Sequence, residues 1–266
     1  MSKLNKALFK LIPDGLVKEE FKSLYYRFFY NKRRFKKNNF YVYYEKGHFV
    51  YEFPNGIKFK CYSDVEHELR ASLWGYIKKH ELRMGETVID CGPGEGDFTL
   101  YAAKAVGSSG KVIAFEPDPL IFGELKSNIE LNDLDNVILV RKGLWSENRV
   151  LKFMTARNIT RSFVFSNEGG KVIEAPVVRL DDELKNLGID KVDFIKMDVE
   201  GSELETVKGA SQFLTHNKVD LAIASYHILN GEKTCFKLEK ALSELGYKTD
   251  TAYAEHLTTY ASKNMC

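Results

Sequence analysis

The chain is 266 residues long, 44% hydrophobic, with a formal charge of +2. That length and apolar content fit one large globular domain, or one domain with a small extension, and exclude a disordered or fibrous chain. Four cysteines (Cys61, Cys91, Cys235, Cys266) without a C-x-x-C pair argue against a zinc site or a disulfide framework and fit a reducing, cytoplasmic compartment.

The charge is uneven. Residues 1–48 hold 12 Lys and Arg against four acids, about +8, which leaves the remainder at about −6. Residues 3–12 and 17–29 carry apolar groups at helical spacing, with Phe21, Leu24, Tyr25 and Phe28 on one stripe. Pro13-Asp14-Gly15 separates the two runs. Arg33, Arg34, Lys36 and Lys37 follow. Three roles compete for this arm. It docks as a helix on the main domain or on a second subunit of a homo-oligomer. It adheres peripherally to an anionic membrane. Or it touches nucleic acid, for which basic charge alone is weak evidence. The N-terminus lacks a continuous apolar stretch and a small-residue cleavage site, so neither a signal peptide nor a membrane span is expected.

Residues 40–61 read as β structure: strands at 40–44, 49–53 and 57–59, with turns at Glu45-Lys46-Gly47 and Pro54-Asn55-Gly56. Asp64 caps a helix expected to run to about Lys79. The division expected is an extension over 1–60 and a main domain over 61–266, the extension packing over the glycine loop or the substrate mouth.

The main domain starts with a strand at Thr87–Cys91 and a helix at about Asp97–Val106. A second strand, Lys111–Glu116, leads into a helix from Pro117-Asp118-Pro119 to about Leu131. Further strands are expected at 137–141, 192–198 and 219–225. Between the third and fourth, 149–154 and 171–178 read as an antiparallel pair joined by the loop 155–170. Glu232–Leu245 reads as a helix ended by Gly246, and 247–253 with 256–262 as a closing hairpin. Alternating strands and helices predict an α/β fold with a mostly parallel sheet.

Chemistry concentrates at the carboxyl ends of these strands, where open α/β sheets bind ligands. After the first strand comes Asp90-x-Gly92-x-Gly94-x-Gly96. A dinucleotide loop reads G-x-G-x-x-G. The present spacing instead resembles the S-adenosylmethionine (SAM) loop of Rossmann-like methyltransferases, in which the acid faces the cationic end of the cofactor. Glu116, about twenty residues on, can accept both hydroxyls of a ribose, a device NAD enzymes share. Gly143-Leu144-Trp145 stands where an adenine edge would lie, although Trp145 reads equally well as core filler.

The fourth strand ends in Asp198-Val199-Glu200-Gly201-Ser202-Glu203-Leu204-Glu205, followed by Lys208-Gly209-Ala210. This run resembles the signature of the FkbM family of SAM-dependent methyltransferases, and Val112–Pro119 is similar to that family's second strand. The resemblance covers about 85–265. Pro93 and Glu95 flank Gly94 where the family often has Ala or Asn. The resemblance implies a Rossmann-like methyltransferase fold: a mostly parallel seven-stranded sheet closed by an antiparallel hairpin, after an N-terminal helical and β-hairpin extension. It implies SAM, with S-adenosylhomocysteine as product, held by Asp90, Gly92, Gly94, Gly96, Glu116, Pro117, Gly143 and Leu144, with Asp198 near the methionine end. It implies O-methylation of a sugar, a glycan or a small-molecule hydroxyl.

Removing a hydroxyl proton needs a base. His227, just past the fifth strand, is the first candidate; Glu200, Glu203 and Asp198 are the others. The family often has an acid two residues before this histidine. Here Ser225 stands there, and no carboxylate is expected to orient the ring from that position. A magnesium ion on Asp198, Glu200 and His227 is chemically reasonable, but loop acids are usually just solvated, and no metal is expected. His67, His80, His216 and His256 show no partner spacing, although His256 could face the pocket. The rival functions are a nucleic-acid methyltransferase, a dinucleotide oxidoreductase and a non-catalytic SAM-binding module. The fourth strand lacks the Asn/Asp-Pro-Pro-aromatic stretch of amino-methylating DNA enzymes, so a nucleic-acid partner is not expected.

Overall fold

The computed structural model describes residues 33–34, 41–45, 48–53, 55–62, 75–155, 162–163, 171–229, 231–252 and 256–263. The helices expected at 3–12 and 17–29, the helix start at Asp64 and most of the 155–170 loop lie outside them. The chain divides into two compact units, Met1–Val65 and Glu66–Cys266.

The first unit contains an antiparallel sheet of β1 (Arg33–Arg34), β2 (Tyr41–Glu45), β3 (His48–Glu52) and β4 (Lys58–Cys61), in that spatial order. Asn55 and Gly56 make the expected turn: Gly56 has φ of 83°, and the Ile57 N–H donates to the Asn55 side chain at 3.3 Å. Val42, Tyr44, Phe49 and Tyr51 are buried, with Tyr44 edge-on to Phe49. The pairing of β1 with β2 had no sequence signal in the basic run.

The second unit is built on seven strands: β5 (Thr87–Cys91), β6 (Lys111–Phe115), β7 (Val137–Val140), β12 (Phe194–Met197), β13 (Asp220–Ala224), β16 (Lys248–Ala252) and β17 (Thr258–Ser262). Their order is β16-β17-β13-β12-β5-β6-β7. Strand β17 runs antiparallel to both its neighbours, while β7, β6, β5, β12 and β13 are parallel to one another. The order reverses at β5, and the crevice at the carboxyl ends of the strands at such a switch point is where ligands of open α/β sheets bind.

The pleat divides these strands between two cores. Ile89, Cys91, Ile113, Ile195, Met197, Leu221 and Ile223 face one layer; Val88, Val112, Phe194, Ala222 and Ala224 face the other. Helices fill both layers: α1 (Asp97–Val106), α2 (Pro119–Leu131), α3 (Leu180–Leu187), α4 (Glu203–Gly209), α5 (Ser211–His216) and α6 (Thr234–Glu244). Asp118 caps α2, accepting the Leu120 N–H at 2.8 Å. Two charged residues, Asp90 and Lys196, interrupt the second layer, directly opposite each other in the β5–β12 ladder.

A smaller sheet carries β8 (Gly143–Leu144), β9 (Arg149–Thr155), β10 (Ser162–Phe163) and β11 (Lys171–Val178), in the order β10-β9-β11-β8. The expected pairing of 149–154 with 171–178 is present and antiparallel. Two expectations need correction. Glu232 and Lys233 are not helical: as β15 they pair with β14 (Ile228–Leu229), and α6 begins at Thr234. Gly231, with φ of 81°, makes the reversal that the helical reading overlooked. Residues 77–79 are turn and bend, so the helix expected to run to about Lys79 stops at Tyr76.

His80 was read as having no partner and has two. Its Nδ1 lies 2.8 Å from Asp220 and its Nε2 3.2 Å from Glu86, with the ring stacked on Phe194. Burial lowers the pKa of His80, but the two carboxylates outweigh it and hold it above the ordinary value; Asp220 is held below its own. The stabilisation from His80 is therefore complete below the unfolded-state value of about 6.5 and is lost as pH rises through the higher folded value. We expect the melting temperature to fall with pH on the alkaline side, and His80→Gln to flatten part of that slope. An identical slope in the variant would remove His80 from the account.

Candidate active site

The glycine loop leaves β5 and turns into α1. Gly92, at φ of 75°, lies so close to the next strand's loop that a Cβ added there would fall 1.9 Å from the Asp198 carbonyl oxygen. No side chain fits. Gly94 differs: an added Cβ meets nothing within 4 Å. One side of the loop is clamped to the β12 loop and its tip is open. The Glu95 carbonyl is fixed by Asn128 of α2 at 2.8 Å.

Asp90 is fully buried beneath the loop. It accepts the Thr99 hydroxyl at 2.6 Å and pairs with the Lys196 ammonium at 2.9 Å. Lys196 also donates to the Gly92 carbonyl at 2.5 Å and lies 5.3 Å from the Tyr76 ring centre. Burial alone would discharge Lys196; Asp90, Asp198 and Asp97 outweigh it and raise its pKa. The acid expected to face a cofactor thus holds an internal cation, and that cation holds the loop. Sequence reasoning missed Lys196. Its signal was a lone charge inside an otherwise apolar strand of a parallel sheet, which must be paired once buried.

Glu116 ends at the adjacent position of the crevice. It is buried, accepts the Asp118 N–H at 2.9 Å, and is pushed by burial up to about 8. A ligand offering two hydroxyl donors would restore its charged form. Asp97, at the start of α1, is raised by burial to about 6 against the pull of Lys196. Pro117 and Gly143 are neighbours: a Cβ on Gly143 would sit 3.5 Å from the Pro117 ring. Leu144 is buried in the core, its carbonyl accepting the Thr206 hydroxyl at 3.3 Å. The Trp145 N–H donates to the Val178 carbonyl at 3.0 Å and is engaged in the small sheet.

The loops after β12 and β13 bring the remaining candidates together. Asp198 accepts hydrogen bonds from Tyr76 at 2.8 Å and Tyr226 at 3.2 Å. Burial raises its pKa, but Lys196, His227, His256 and Tyr76 prevail and hold it below the ordinary value. His227 Nε2 lies 3.2 Å from Glu200 and 3.7 Å from Asp198. Its Nδ1 lies 3.2 Å from Glu203, an ion-pair distance without hydrogen-bond alignment. The position two residues before His227 offers no acid; the loop after the adjacent strand supplies Glu200, and the helix that loop enters supplies Glu203. Burial lowers the pKa of His227, yet these carboxylates raise it overall to about 10. The ring therefore stands protonated at neutral pH.

Glu200 adopts φ of 53°, uncommon for a side chain of its kind, and Glu203 accepts the Val199 and Gly201 N–H groups. His256 faces the same cluster, 3.2 Å from the Tyr76 hydroxyl and 3.9 Å from Asp198. His216 is elsewhere, bonded to the Gln212 carbonyl. His67 lies outside the described residues. Tyr76 and Tyr226 were not anticipated; Tyr76 stands 122 residues from Asp198 in sequence.

Among the described residues no helix is long and apolar enough to cross a membrane. The chain resembles known proteins over part of its length. "Methyltransferase sdnD" of Sordaria araneosa is 30% identical over 157 residues, 47% of this chain and 60% of the relative. "Methyltransferase 1" of Beauveria bassiana (strain ARSEF 2860) is 26% identical over 143 residues, 46% of this chain and 57% of the relative. The chain thus matches under two thirds of the length of either. The crystal structure of a methyltransferase FkbM from Methylobacillus flagellatus KT superposes with a TM-score of 0.51 at 22% identity, over 70% of this chain and 46% of that one, a likeness of fold. The sequence profile of the methyltransferase FkbM domain matches residues 90–249, spanning the glycine loop, Glu116 and the whole Asp198–His227 cluster: the chain belongs to the FkbM-domain methyltransferase family.

Proposed function

We propose that this protein is a SAM-dependent methyltransferase acting on a hydroxyl of a sugar, a glycan or another small molecule. One observation carries the reading. The glycine loop, clamped through Gly92 to the Asp198 backbone, shares a single sheet edge with the Asp198–Glu200–His227 cluster. A cofactor lying along the loop and an acceptor lying at the cluster would be neighbours.

The residues fit SAM on three counts. The loop tip at Gly94 is open where a Cβ would be, so a ligand can approach the backbone. Glu116 is buried and short of donors, suited to the two hydroxyls of a ribose. Asp97, Asp198 and Glu200 set negative charge at the crevice, suited to a cationic ligand end. When bound, SAM supplies a methyl group on a positively charged sulfur. Pro117 and Gly143 would border the adenine end, and Asp198 would lie near the methionine end. Because His227 is protonated, its Nε2 donates; acceptance of the hydroxyl proton falls to Glu200, 3.2 Å away. Placing the acceptor oxygen in line is the larger part of the catalytic task.

The test is methyl transfer from labelled SAM to a panel of hydroxylated acceptors. Glu200→Gln should lower turnover by about 100-fold or more while S-adenosylhomocysteine affinity is unchanged. Full turnover in the variant would remove Glu200 from the mechanism; no transfer to any hydroxyl, with transfer to nitrogen acceptors, would overturn the O-methylation reading.

A further inference from the structure

We propose that Asp198, Glu200 and His227 form a binding site for one divalent cation, Mn²⁺ or Mg²⁺, at the acceptor end of the crevice. Each residue offers a ligand atom, and these atoms all lie within 4.8 Å of one another. The spacing is slightly wider than that of a coordination shell. His227 Nε2 is 3.2 Å from Glu200 Oε2 and 3.7 Å from Asp198 Oδ1. Donors held at about 2.1 Å around one octahedral ion stand roughly 3 Å apart when adjacent and roughly 4.2 Å apart when opposite. Little movement would gather these three around an ion. Two carboxylates and one imidazole make a mainly hard donor set, which suits Mn²⁺ and Mg²⁺ better than a soft-ligand metal.

A second observation is independent of that spacing. Glu203 is fully buried, and its Oε2 has no hydrogen-bond partner among the described residues. An unmatched buried carboxylate oxygen is costly. Here it stands in a cluster with Asp198 and Glu200, beside His227, and that oxygen is left without a donor. Glu203 also lies on the Nδ1 side of His227, 3.2 Å away. Ligating histidines present their other nitrogen to such a carboxylate; Nε2, which carries a proton in the metal-free protein, would release it to solvent when the ion binds.

The ion would keep coordination positions open toward the crevice, and Glu200, ligating through one carboxylate oxygen, would keep the other for the hydroxyl proton. Hard oxygen donors fill such positions, so the site favours an acceptor that brings an alcohol, and above all two adjacent hydroxyls. That last step rests on the O-methylation reading; the ligation itself does not.

Metal-depleted protein of the present chain titrated with Mn²⁺ and followed by electron paramagnetic resonance should bind one ion per chain, displaceable by Mg²⁺. Glu200→Gln and His227→Gln should each weaken binding at least about tenfold, with circular dichroism and the heat of S-adenosylhomocysteine binding unchanged. No bound Mn²⁺ at millimolar concentration, with or without S-adenosylhomocysteine, would overturn the proposal, as would undiminished binding in both variants. The two readings fail separately. Heat with S-adenosylhomocysteine but no bound Mn²⁺ overturns the metal site alone. Bound Mn²⁺ with no such heat leaves the metal site standing and overturns the cofactor.

Discussion

Lys196→Met should be the most damaging single change in the second unit. The substitution removes the ammonium that lies 2.9 Å from Asp90 and holds the Gly92 carbonyl, and it leaves Asp90 fully buried with only the Thr99 hydroxyl. Breaking one side of a buried pair costs about 3–5 kcal/mol, because the remaining charge stays in a low-dielectric interior. A domain of ordinary stability has only about 5–15 kcal/mol in total. Chemical denaturation should show that loss, and calorimetry should show S-adenosylhomocysteine binding weakened together with it, since the loop carbonyl has lost its anchor. Adding Asp90→Asn should recover part of the stability by removing the stranded charge. Wild-type stability in the single variant would contradict the role given to Lys196.

The second large effect separates the two sides of the glycine loop. Gly92→Ala would put a Cβ 1.9 Å from the Asp198 carbonyl oxygen, at a φ of 75° that alanine already resists. The β5 and β12 loops would have to part. Overpacking of this kind costs about 1–3 kcal/mol or more, and here the displaced group is backbone, with no rotamer to relieve it. Both stability and S-adenosylhomocysteine affinity should fall. Gly94→Ala is the control. Its Cβ meets nothing within 4 Å, so only the cost of φ near 56° remains, on the order of 1–3 kcal/mol. The methyl group would project where the ligand is proposed to lie. Gly94→Ala should therefore lose affinity out of proportion to stability. Equal behaviour of the two variants would place the ligand elsewhere.

The sheet was legible because its strands are short, β-branched and apolar, with turn residues between them, and that pattern is local. Thr87–Cys91 and Asp97–Val106 begin and end where the sequence places them. One other element was legible and overlooked. Leu180–Leu187 has Asp181, Asp182 and Glu183 in its first turn and Gly188 in the left-handed conformation at its end, which are ordinary helix signals. The reversal at Gly231 was hidden because Glu232 and Lys233 suit a helix as well as a strand.

The site was legible by chemical type and not by partnership. Asp198, Glu200 and His227 were named because acids and a histidine at strand ends imply ligands, and the structure gathers them. What each one touches depends on register and on crossovers between distant strands. Lys196 meets Asp90 because β12 and β5 are neighbours in the sheet though about a hundred residues apart. An acid beside His227 was sought just before it in sequence, and it comes from the helix that follows the neighbouring strand. Tyr76 and His256 reach Asp198 from opposite ends of the second unit's sequence, and no local pattern announces such a meeting.

Isothermal titration calorimetry of the wild-type chain with S-adenosylhomocysteine tests the central claim most directly. The account predicts saturable heat at one site per chain, greatly reduced in Gly94→Ala and unaltered by NADH as competitor. Folded protein that gives no heat with S-adenosylhomocysteine or with SAM would contradict it.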